Sequence, residues 1–250
     1  MPARSLPMIF LPALALGALA GGPSERVDQL RALPDAQLGA ELRASSAQEL
    51  VALGREGVRR LGTYRARLTK QERVGAKLLP AQTLELLVQP APRALRLQYV
   101  EGPAAGRKVI WTEARPKQML VREAGLLGLT SIWLDVDGGL AHGDTNHRVT
   151  ELGFAPLLDI MAADLAAAAP YGGHQRHDEG FDAAGRYCLV FVAPRGAPNL
   201  YAQRARLCID PRLAVPVELE VNDRAGFLER YRYSDVRAQQ RVDRAAFQSL

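Results

Sequence analysis

The spacing of hydrophobic residues changes period along the chain. Between residues 35 and 61 they recur every three or four positions, the spacing of an amphipathic helix. The residues of this stripe are Leu38, Leu42, Leu50, Leu53, Val58 and Leu61. Ser46 and Glu49 have the spacing of a capping box, so we expect a second helix to begin at Ser46 and to end at Gly62.

From Thr63 onward the period is two, which predicts strands with one face on a core and one face in water. Tyr64, Ala66 and Leu68, for example, alternate with polar neighbours. Further strands are predicted at 83–88, 95–99, 108–112, 118–122, 131–135, 187–193, 200–209, 215–221 and 228–236. One helix interrupts them at 154–168, because Pro156 suits its first turn and Pro170 stops it. The order predicts an α+β fold with an antiparallel sheet.

The first twenty residues have the pattern of a secretory signal. Arg4 precedes an apolar stretch from residue 8 to 19, and Ala18-Leu19-Ala20 fits a cleavage site. A short buried N-terminal helix is the alternative, which Pro7 and Pro12 oppose. We therefore expect residues 1–20 to be a signal peptide and the mature protein to be soluble and periplasmic. No cysteine near the cleavage point is available for an N-terminal lipid.

The two cysteines are predicted to form a disulfide across a hairpin. They flank a loop that contains Pro194, Gly196 and Pro198. If the hairpin is centred on Pro198, Cys188 lies opposite Cys208, and six other residues form an apolar face. Those six are Tyr187, Leu189, Phe191, Ala205, Leu207 and Ile209. Opposed strand residues are close enough for a disulfide, and export supplies an oxidising compartment. Two reduced, buried cysteines are the alternative.

Composition narrows the classes of function. The chain has 250 residues and 48% hydrophobic residues, enough for a sizeable core, and too few cysteines for a disulfide scaffold. The formal charge of +5 is mild and is spread along the chain, so it gives only weak support for an anionic partner, and we expect no nucleic-acid partner. No apolar stretch reaches the ~20 residues of a bilayer span, so we expect no spanning segment. Nothing demands more than a monomer.

No catalytic motif is present, so we expect neither an enzyme nor a cofactor. The four histidines nevertheless lie close in sequence, at His142, His147, His174 and His177. Two such pairs have donors that zinc accepts, which leaves a metal-assisted hydrolase as a third hypothesis. Both pairs lie in predicted loops with no helix to fix their geometry, and we therefore predict no metal site.

The run from Asn146 to Gly153 is the most unusual polar stretch. Thr150 and Glu151 are explained by capping of the following helix. His147 and Arg148 have no such explanation, and we predict that part of the run forms a contact surface for a partner. Its residues are Asn146, His147, Arg148 and Glu151.

Several short motifs, in this order, resemble an uncharacterised bacterial family within the superfamily of LolA-type outer-membrane lipoprotein carriers. They are Glu72–Gly75, Lys77–Gln82, Tyr99–Gly102, Gly125–Gly128, Asn146–Gly153, Asp210 with Pro216-Val217, and Tyr231–Val236. The resemblance covers about residues 45–250, with 21–44 as an N-terminal extension and helix. It implies an open, strongly curved antiparallel half-barrel whose concave side is closed by helices around an apolar cavity.

The resemblance also implies a function. A half-barrel of this kind can hold the acyl chains of a lipoprotein or another lipid in the periplasm, without catalysis. From the alternating faces, the candidate lining residues are Leu84, Leu86, Val88, Leu95, Leu97, Tyr99, Trp111 and Trp133, although the same pattern serves a closed core. In such carriers an arginine on the cavity side can hold a lid in place by hydrogen bonds to the backbone of the lid. Arg73 is the candidate for that role here. The alternative hypothesis is a cell-envelope interaction or sensor module that uses the fold to hold a protein partner.

Overall fold

A computed structural model describes residues 21–125, 128, 130–143 and 145–250. The predicted signal peptide, residues 1–20, lies outside the described residues. Three helices come first, and their bounds are α1 Pro23–Ala32, α2 Asp35–Ala44 and α3 Ala47–Leu61. The predicted capping box starts α3, since the Ser46 hydroxyl accepts from the Glu49 N–H at 3.2 Å and the Glu49 carboxylate accepts from the Ser46 N–H at 2.7 Å. Sequence reasoning missed α1, which buries only Val27 and Leu30.

Strands make up most of the remaining chain. In the described part they are β1 Tyr64–Val74, β2 Lys77–Leu78, β3 Gln82–Pro90, β4 Arg93–Glu101, β5 Lys108–Thr112, β6 Gln118–Arg122, β7 Ile132–Asp135, β8 Gln175–Phe181, β9 Tyr187–Val192, β10 Arg204–Asp210, β11 Val215–Asp223 and β12 Gly226–Ala238. Between β7 and β8 lie α4 Gly139–His142 and α5 Phe154–Ala168. Short 3-10 turns occupy Val149–Glu151, Ala169–Tyr171 and Arg244–Phe247.

The strands form one open antiparallel sheet. Its order is β7-β6-β5-β4-β3-β1-β12-β11-β10-β9-β8, with β2 paired to β1. Each half is a local meander, and the pairing of β1 with β12 joins the halves at the centre. Since β7 and β8 lie at the two ends of this order and do not pair with each other, the sheet is not closed. The predicted α+β fold with an open antiparallel half-barrel and packed helices is confirmed.

One face of the sheet, called the inner face here, carries the main core. Towards β7 its strands pack against Phe154 and Leu158 of α5 and Val58 of α3. Towards β8 the strands pack against residues from each of the helices α1, α2 and α3, which together form a second apolar cluster. The outer face carries a smaller apolar cluster under the 3-10 turn at Arg244–Phe247. The apolar residues of the alternating pattern therefore lie mainly on the face of the sheet that the helices cover.

The cysteine hairpin forms in the predicted register. Cys208 pairs with Cys188, Leu207 with Leu189, and Ala205 with Phe191. The two cysteines form a disulfide, and their Cα atoms are 4.1 Å apart. They lie on the outer face, while the predicted apolar face of six residues contributes to the inner core. The disulfide prediction is confirmed.

The predicted helix at 154–168 is α5, which crosses the inner face. By length and composition alone, Phe154–Tyr171 is apolar enough to cross a membrane, a test that the core helix of a soluble protein also passes. Here α5 packs against α3 and β11. Only part of it is buried, chiefly Phe154, Leu157, Leu158 and Ala168. We call residues 145–168, which include α5 and the turn before it, the cover segment.

Candidate functional site

Most of the predicted lining residues meet on the inner face beneath the cover segment. Leu84, Leu86, Val88, Leu95, Leu97 and Trp111 are all buried in one apolar cluster, and Tyr99 packs against its edge. Cross-strand pairing places them side by side, for example Leu86 opposite Leu97. The cover segment contributes Leu152, Phe154 and Leu158 to the same cluster.

Trp133 lies elsewhere. It pairs with Leu120, which belongs to the outer cluster, and its side chain is therefore on the opposite face from the other seven residues. It is 45% exposed, and the Arg115 guanidinium lies over its ring at 4.5 Å. The prediction of a strand here is correct. The residues of β7 that point to the inner face, however, are Ile132 and Leu134, the two neighbours of Trp133 in sequence.

Arg93, rather than Arg73, is the arginine whose side chain donates hydrogen bonds to the backbone of the cover segment. Its guanidinium donates to the carbonyl oxygens of Thr150 and Leu152 and lies over the Trp111 ring. Burial lowers the pKa of Arg93. Arg73 faces the other way and donates to the Phe227 carbonyl at 2.8 Å and to the Asp223 carboxylate.

The inner face changes from apolar to ionisable towards one end of β1 and β12. The alternation of Tyr64, Ala66 and Leu68 continues through Lys70 and Glu72, which are both buried. Across the central pairing, Lys70 lies opposite Tyr231, and Glu72 lies opposite Glu229, whose exposure is 1%. Lys70 Nζ donates to Glu72 at 2.9 Å, and the Tyr231 hydroxyl donates to the other oxygen of Glu72.

The cover segment completes this network from above. Thr145 Oγ1 lies 3.0 Å from Lys70 Nζ and donates to Glu72 at 3.1 Å. His147 Nε2 lies 2.9 Å from both Glu229 Oε2 and the Tyr201 hydroxyl, and its Nδ1 lies 3.2 Å from Glu151 Oε2. The Tyr201 hydroxyl also donates to Glu229. We call Lys70, Glu72, Thr145, His147, Tyr201, Glu229 and Tyr231 the polar cluster.

The charges of the polar cluster support one another. Burial opposes protonation of His147, but the hydrogen bond to Glu229 and the charges of Glu229 and Glu72 outweigh it and raise the pKa of the imidazole. Burial also disfavours ionisation of Glu72, yet Lys70 and the hydrogen bonds from Tyr231 and Thr145 lower the pKa of that carboxyl. Burial and the nearby carboxylates raise the pKa of Tyr201 and of Tyr231, which therefore stay neutral donors.

Two small cavities lie on either side of His147. One, of about 50 Å³, is bounded by Lys70, Leu97, Tyr99 and Thr145 among others. The second, of about 30 Å³, is bounded by Leu157, Glu229 and Tyr231 on the side of α5. Leu152 and His147 border both. The cover segment thus closes over the inner face and leaves only narrow spaces beneath it.

The four residues predicted as a contact surface divide between the interior and the exterior. The His147 side chain is 11% exposed and faces the polar cluster, while Glu151 is 36% exposed beside it. Arg148 is exposed and pairs with Asp137 at 2.6 Å. Asn146 is exposed, and its side-chain amide donates to the Arg73 carbonyl at 3.1 Å. The run therefore fastens the cover segment as well as presenting polar groups to solvent.

Two of the other histidines, His174 and His177, lie apart from the polar cluster. His174 is buried with its Nε2 3.1 Å from the Asp164 carboxylate of α5. His177 is exposed on β8, and His142 ends α4. Among the described residues, the groups whose donor atoms approach within 4.8 Å are Glu72 with His147 and Glu229, and Asp182 with the two disulfide cysteines. The first group is the one that could hold a metal, but Lys70, Tyr201 and Tyr231 already engage its carboxylates.

Sequence reasoning named only His147 of the polar cluster as a site residue and missed the other six members, which are Lys70, Glu72, Thr145, Tyr201, Glu229 and Tyr231. One signal was available, because a period of two places Lys70 and Glu72 on the same face as Leu68, where charged groups are unexpected unless they are paired. Their further partners, however, come from distant parts of the chain, Thr145 on the cover segment and Tyr231 on β12, and the bond between Tyr231 and Glu72 spans 159 residues. No local pattern announces so distant a pairing.

Comparison with known proteins gives a family. A family model described as "Protein of unknown function (DUF1571)" matches residues 61–250. This match confirms the resemblance inferred from the motifs, and it leaves the activity open. No curated protein sequence matches the chain.

Solved structures share the general arrangement at low sequence identity. An uncharacterized conserved protein from Thermus thermophilus is 15% identical with a TM-score of 0.46, covering 82% of this chain and 94% of that one. MucB in complex with MucA(peri) is 17% identical with a TM-score of 0.46, covering 82% of this chain and 60% of that one. A LolA superfamily protein from Nitrosomonas europaea is 12% identical with a TM-score of 0.35, covering 82% and 98%.

Proposed function

This chain belongs to the DUF1571 family, and we propose that it is a non-catalytic cell-envelope protein that binds an apolar ligand between the sheet and the cover segment. The ligand class is a lipid or the acyl chains of a lipoprotein. Export of the protein to the periplasm, which residues 1–20 predict, is part of the proposal. N-terminal sequencing of the mature protein tests that part.

The observation that carries the proposal is the way in which the apolar inner face is covered. The face is continuous from β3 to β6, and α5 packs on it through Phe154 and Leu158, whereas the part of the cover segment before α5 is also held by polar contacts, namely those of Arg93, Thr145 and His147. Polar contacts can be exchanged for water when a segment opens, so this arrangement favours a cover that moves.

An acyl chain has a physical need for such a site. Burial of one CH₂ group is worth about 0.8 kcal/mol, so a chain of ~15 CH₂ groups costs on the order of 12 kcal/mol to keep in water. Cavities of about 50 and 30 Å³ are far below the roughly 300 Å³ of small ligand pockets. The structure is therefore a closed form, and binding requires that the cover segment move away from the sheet.

The test weakens the cover and measures binding. Arg93→Ala leaves the carbonyls of Thr150 and Leu152 without their donor and is expected to raise the affinity for a fluorescent fatty-acid probe by about three- to tenfold, because the open state becomes more populated. Arg96→Ala is the matched control, since Arg96 lies on the same strand but binds the carbonyls of Ala246 and Ser249 on the outer face. Its affinity should equal that of the wild type.

Native mass spectrometry of protein purified from a periplasm without detergent provides the second readout. A lipid-sized mass on the monomer, released by organic solvent, supports the proposal. A bare protein, together with no probe binding by the wild type or by Arg93→Ala, contradicts it.

A protein partner is the second candidate ligand. Leu140 on α4 is 81% exposed, and Ile132 on the neighbouring edge strand β7 is 49% exposed. These apolar side chains adjoin a strand with an unpaired edge, a combination that suits docking of another chain. Absence of lipid together with a stable complex that Leu140→Ser disrupts would favour this candidate.

A further inference from the structure

The polar cluster contains a buried carboxylate whose cationic partner belongs to the movable part of the protein. Glu229 is 1% exposed and lies on β12 within the sheet, whereas His147 lies on the cover segment. Glu72, by contrast, keeps its partners Lys70 and Tyr231, which both lie on the sheet. When the cover segment opens, Glu229 is therefore the one of these two carboxylates that loses its charged partner, and it retains the hydroxyl of Tyr201.

An unpaired carboxylate in this position is unfavourable. The inner face around Glu229 is lined by apolar and aromatic side chains such as Leu157, Leu219 and Tyr233. An apolar ligand that enters this space excludes water from Glu229 as well, and a buried charge without a partner is strongly unfavourable. A ligand with an uncharged or anionic head therefore binds at a disadvantage, whereas a cationic head restores the pairing.

We propose that the ligand is an amphiphile with an ammonium head, which takes the place of the His147 imidazole between Glu229 and Tyr201. This inference rests on the proposed function and names its ligand class. An ammonium group supplies three donors, which match the carboxylate of Glu229 and the hydroxyl of Tyr201. In the closed form the His147 side chain occupies this position beside Glu229, so His147 and the head of the ligand compete for the same carboxylate.

The other charges near the site agree with this selectivity. Glu72 and Lys70 compensate each other at 2.9 Å. Glu151 leaves with the cover segment, and in the closed form its carboxylate also faces His147. The charge that the sheet retains for the head of a ligand is therefore that of Glu229, which is negative.

The experiment compares three amphiphiles that share one oleyl chain and differ only in the head: oleylamine, oleic acid and oleyl alcohol. Each displaces an uncharged fluorescent probe from the full mature protein at neutral pH. We expect the amine to bind at least about tenfold more tightly than the alcohol, the size of one charge-assisted hydrogen bond, and the acid to bind more weakly than the alcohol.

Variants then locate the preference. Glu229→Gln should abolish the difference between amine and alcohol, while Glu229→Asp should keep it and guards against a loss that is due only to misfolding. Glu85→Gln is the matched control, because Glu85 is an exposed residue on the outer face of β3. It should leave all three affinities unchanged.

The outcomes separate the two proposals. Equal binding of the three amphiphiles, or a preference for the acid, overturns the head-group inference and leaves the proposed function standing. A preference for the amine that survives Glu229→Gln also overturns it. Failure of all three to bind overturns the proposed function, and the inference with it.

Discussion

The imidazole of His147 contacts side chains from three parts of the chain. Two of these contacts join the cover segment to the rest of the protein. Glu229 belongs to β12, Tyr201 to the loop before β10, and Glu151 to the cover segment itself. A neutral imidazole has one N–H to donate, whereas the protonated ring donates from both nitrogens to the two carboxylates. The strength with which the cover segment is held therefore depends on the protonation of one side chain.

The raised pKa of His147 gives the sign of a pH dependence. A group whose pKa is higher in the folded than in the unfolded protein contributes stability that is complete below the unfolded value and is lost as pH rises through the folded value. The titratable groups that face His147 are Glu229, Glu72 and Tyr231 from the sheet, Tyr201 from the loop before β10, and Glu151 from the cover segment. We expect the free energy of unfolding to fall by about 1–2 kcal/mol, one charge-assisted hydrogen bond, from mildly acidic to alkaline pH.

Urea unfolding at a series of pH values measures this change. His147→Gln should remove that component of the pH dependence, and His177→Gln, an exposed site on β8, should retain it. Parallel pH profiles for the wild type and His147→Gln would show that His147 does not hold the cover segment by its charge.

At the scale of elements, the position of α3 depends on two glycines on its buried side. A Cβ atom added to Gly57 would lie 2.3 Å from the Ala214 carbonyl oxygen in the turn between β10 and β11. A Cβ on Gly54 would instead meet the end of the Leu158 side chain at 2.7 Å. The backbone cannot yield as a side chain can, so α3 fits closely against the turn and more loosely against α5.

Gly57→Ala is therefore expected to destabilise the protein by about 1–3 kcal/mol, because overpacking against backbone outweighs the gain of about 1 kcal/mol in helix propensity. Gly54→Ala has the same propensity gain but a movable neighbour, and its net effect should be closer to zero. Thermal denaturation of both variants measures the difference. Equal melting temperatures would mean that the turn moves aside without cost.

The elements that could be predicted are those whose signals are local. The capping box at Ser46 and Glu49, the apolar stripe of α3 and the cysteine hairpin register all involve neighbours in sequence or one loop. The helix α1 has only two buried residues and was not recognised for that reason. At the site, the apolar lining followed from alternation, but the polar cluster depends on the pairing of β1 with β12, which no local pattern encodes.

At the scale of the whole molecule, the disulfide and the proposed binding site lie in different places. Cys188 and Cys208 cross-link neighbouring strands on the outer face of the half that contains β8 to β11. The cover segment and the polar cluster lie on the inner face and at the central strands. The cross-link therefore acts on stability rather than on the site.

Replacement of both cysteines by alanine is expected to lower the free energy of unfolding by about 3 kcal/mol, the value for a closed loop of this size, since the two residues are 20 apart in sequence. Affinity for an apolar probe should change by less than about twofold. Denaturant unfolding with and without reductant measures the first effect, and the double variant should not respond to reductant. A large loss of affinity would place the hairpin in the binding mechanism.

The pairing of the first long strand with the last has a kinetic consequence. Each meander can form from contacts between neighbouring strands, but β1 must wait for β12, and contacts of such high sequence separation slow folding. The pairs Lys70 with Tyr231 and Glu72 with Glu229 form only at that step. A chain interrupted before its final strand would thus lack Glu229 and Tyr231 of the polar cluster, and competence to bind would arise only at the end of folding.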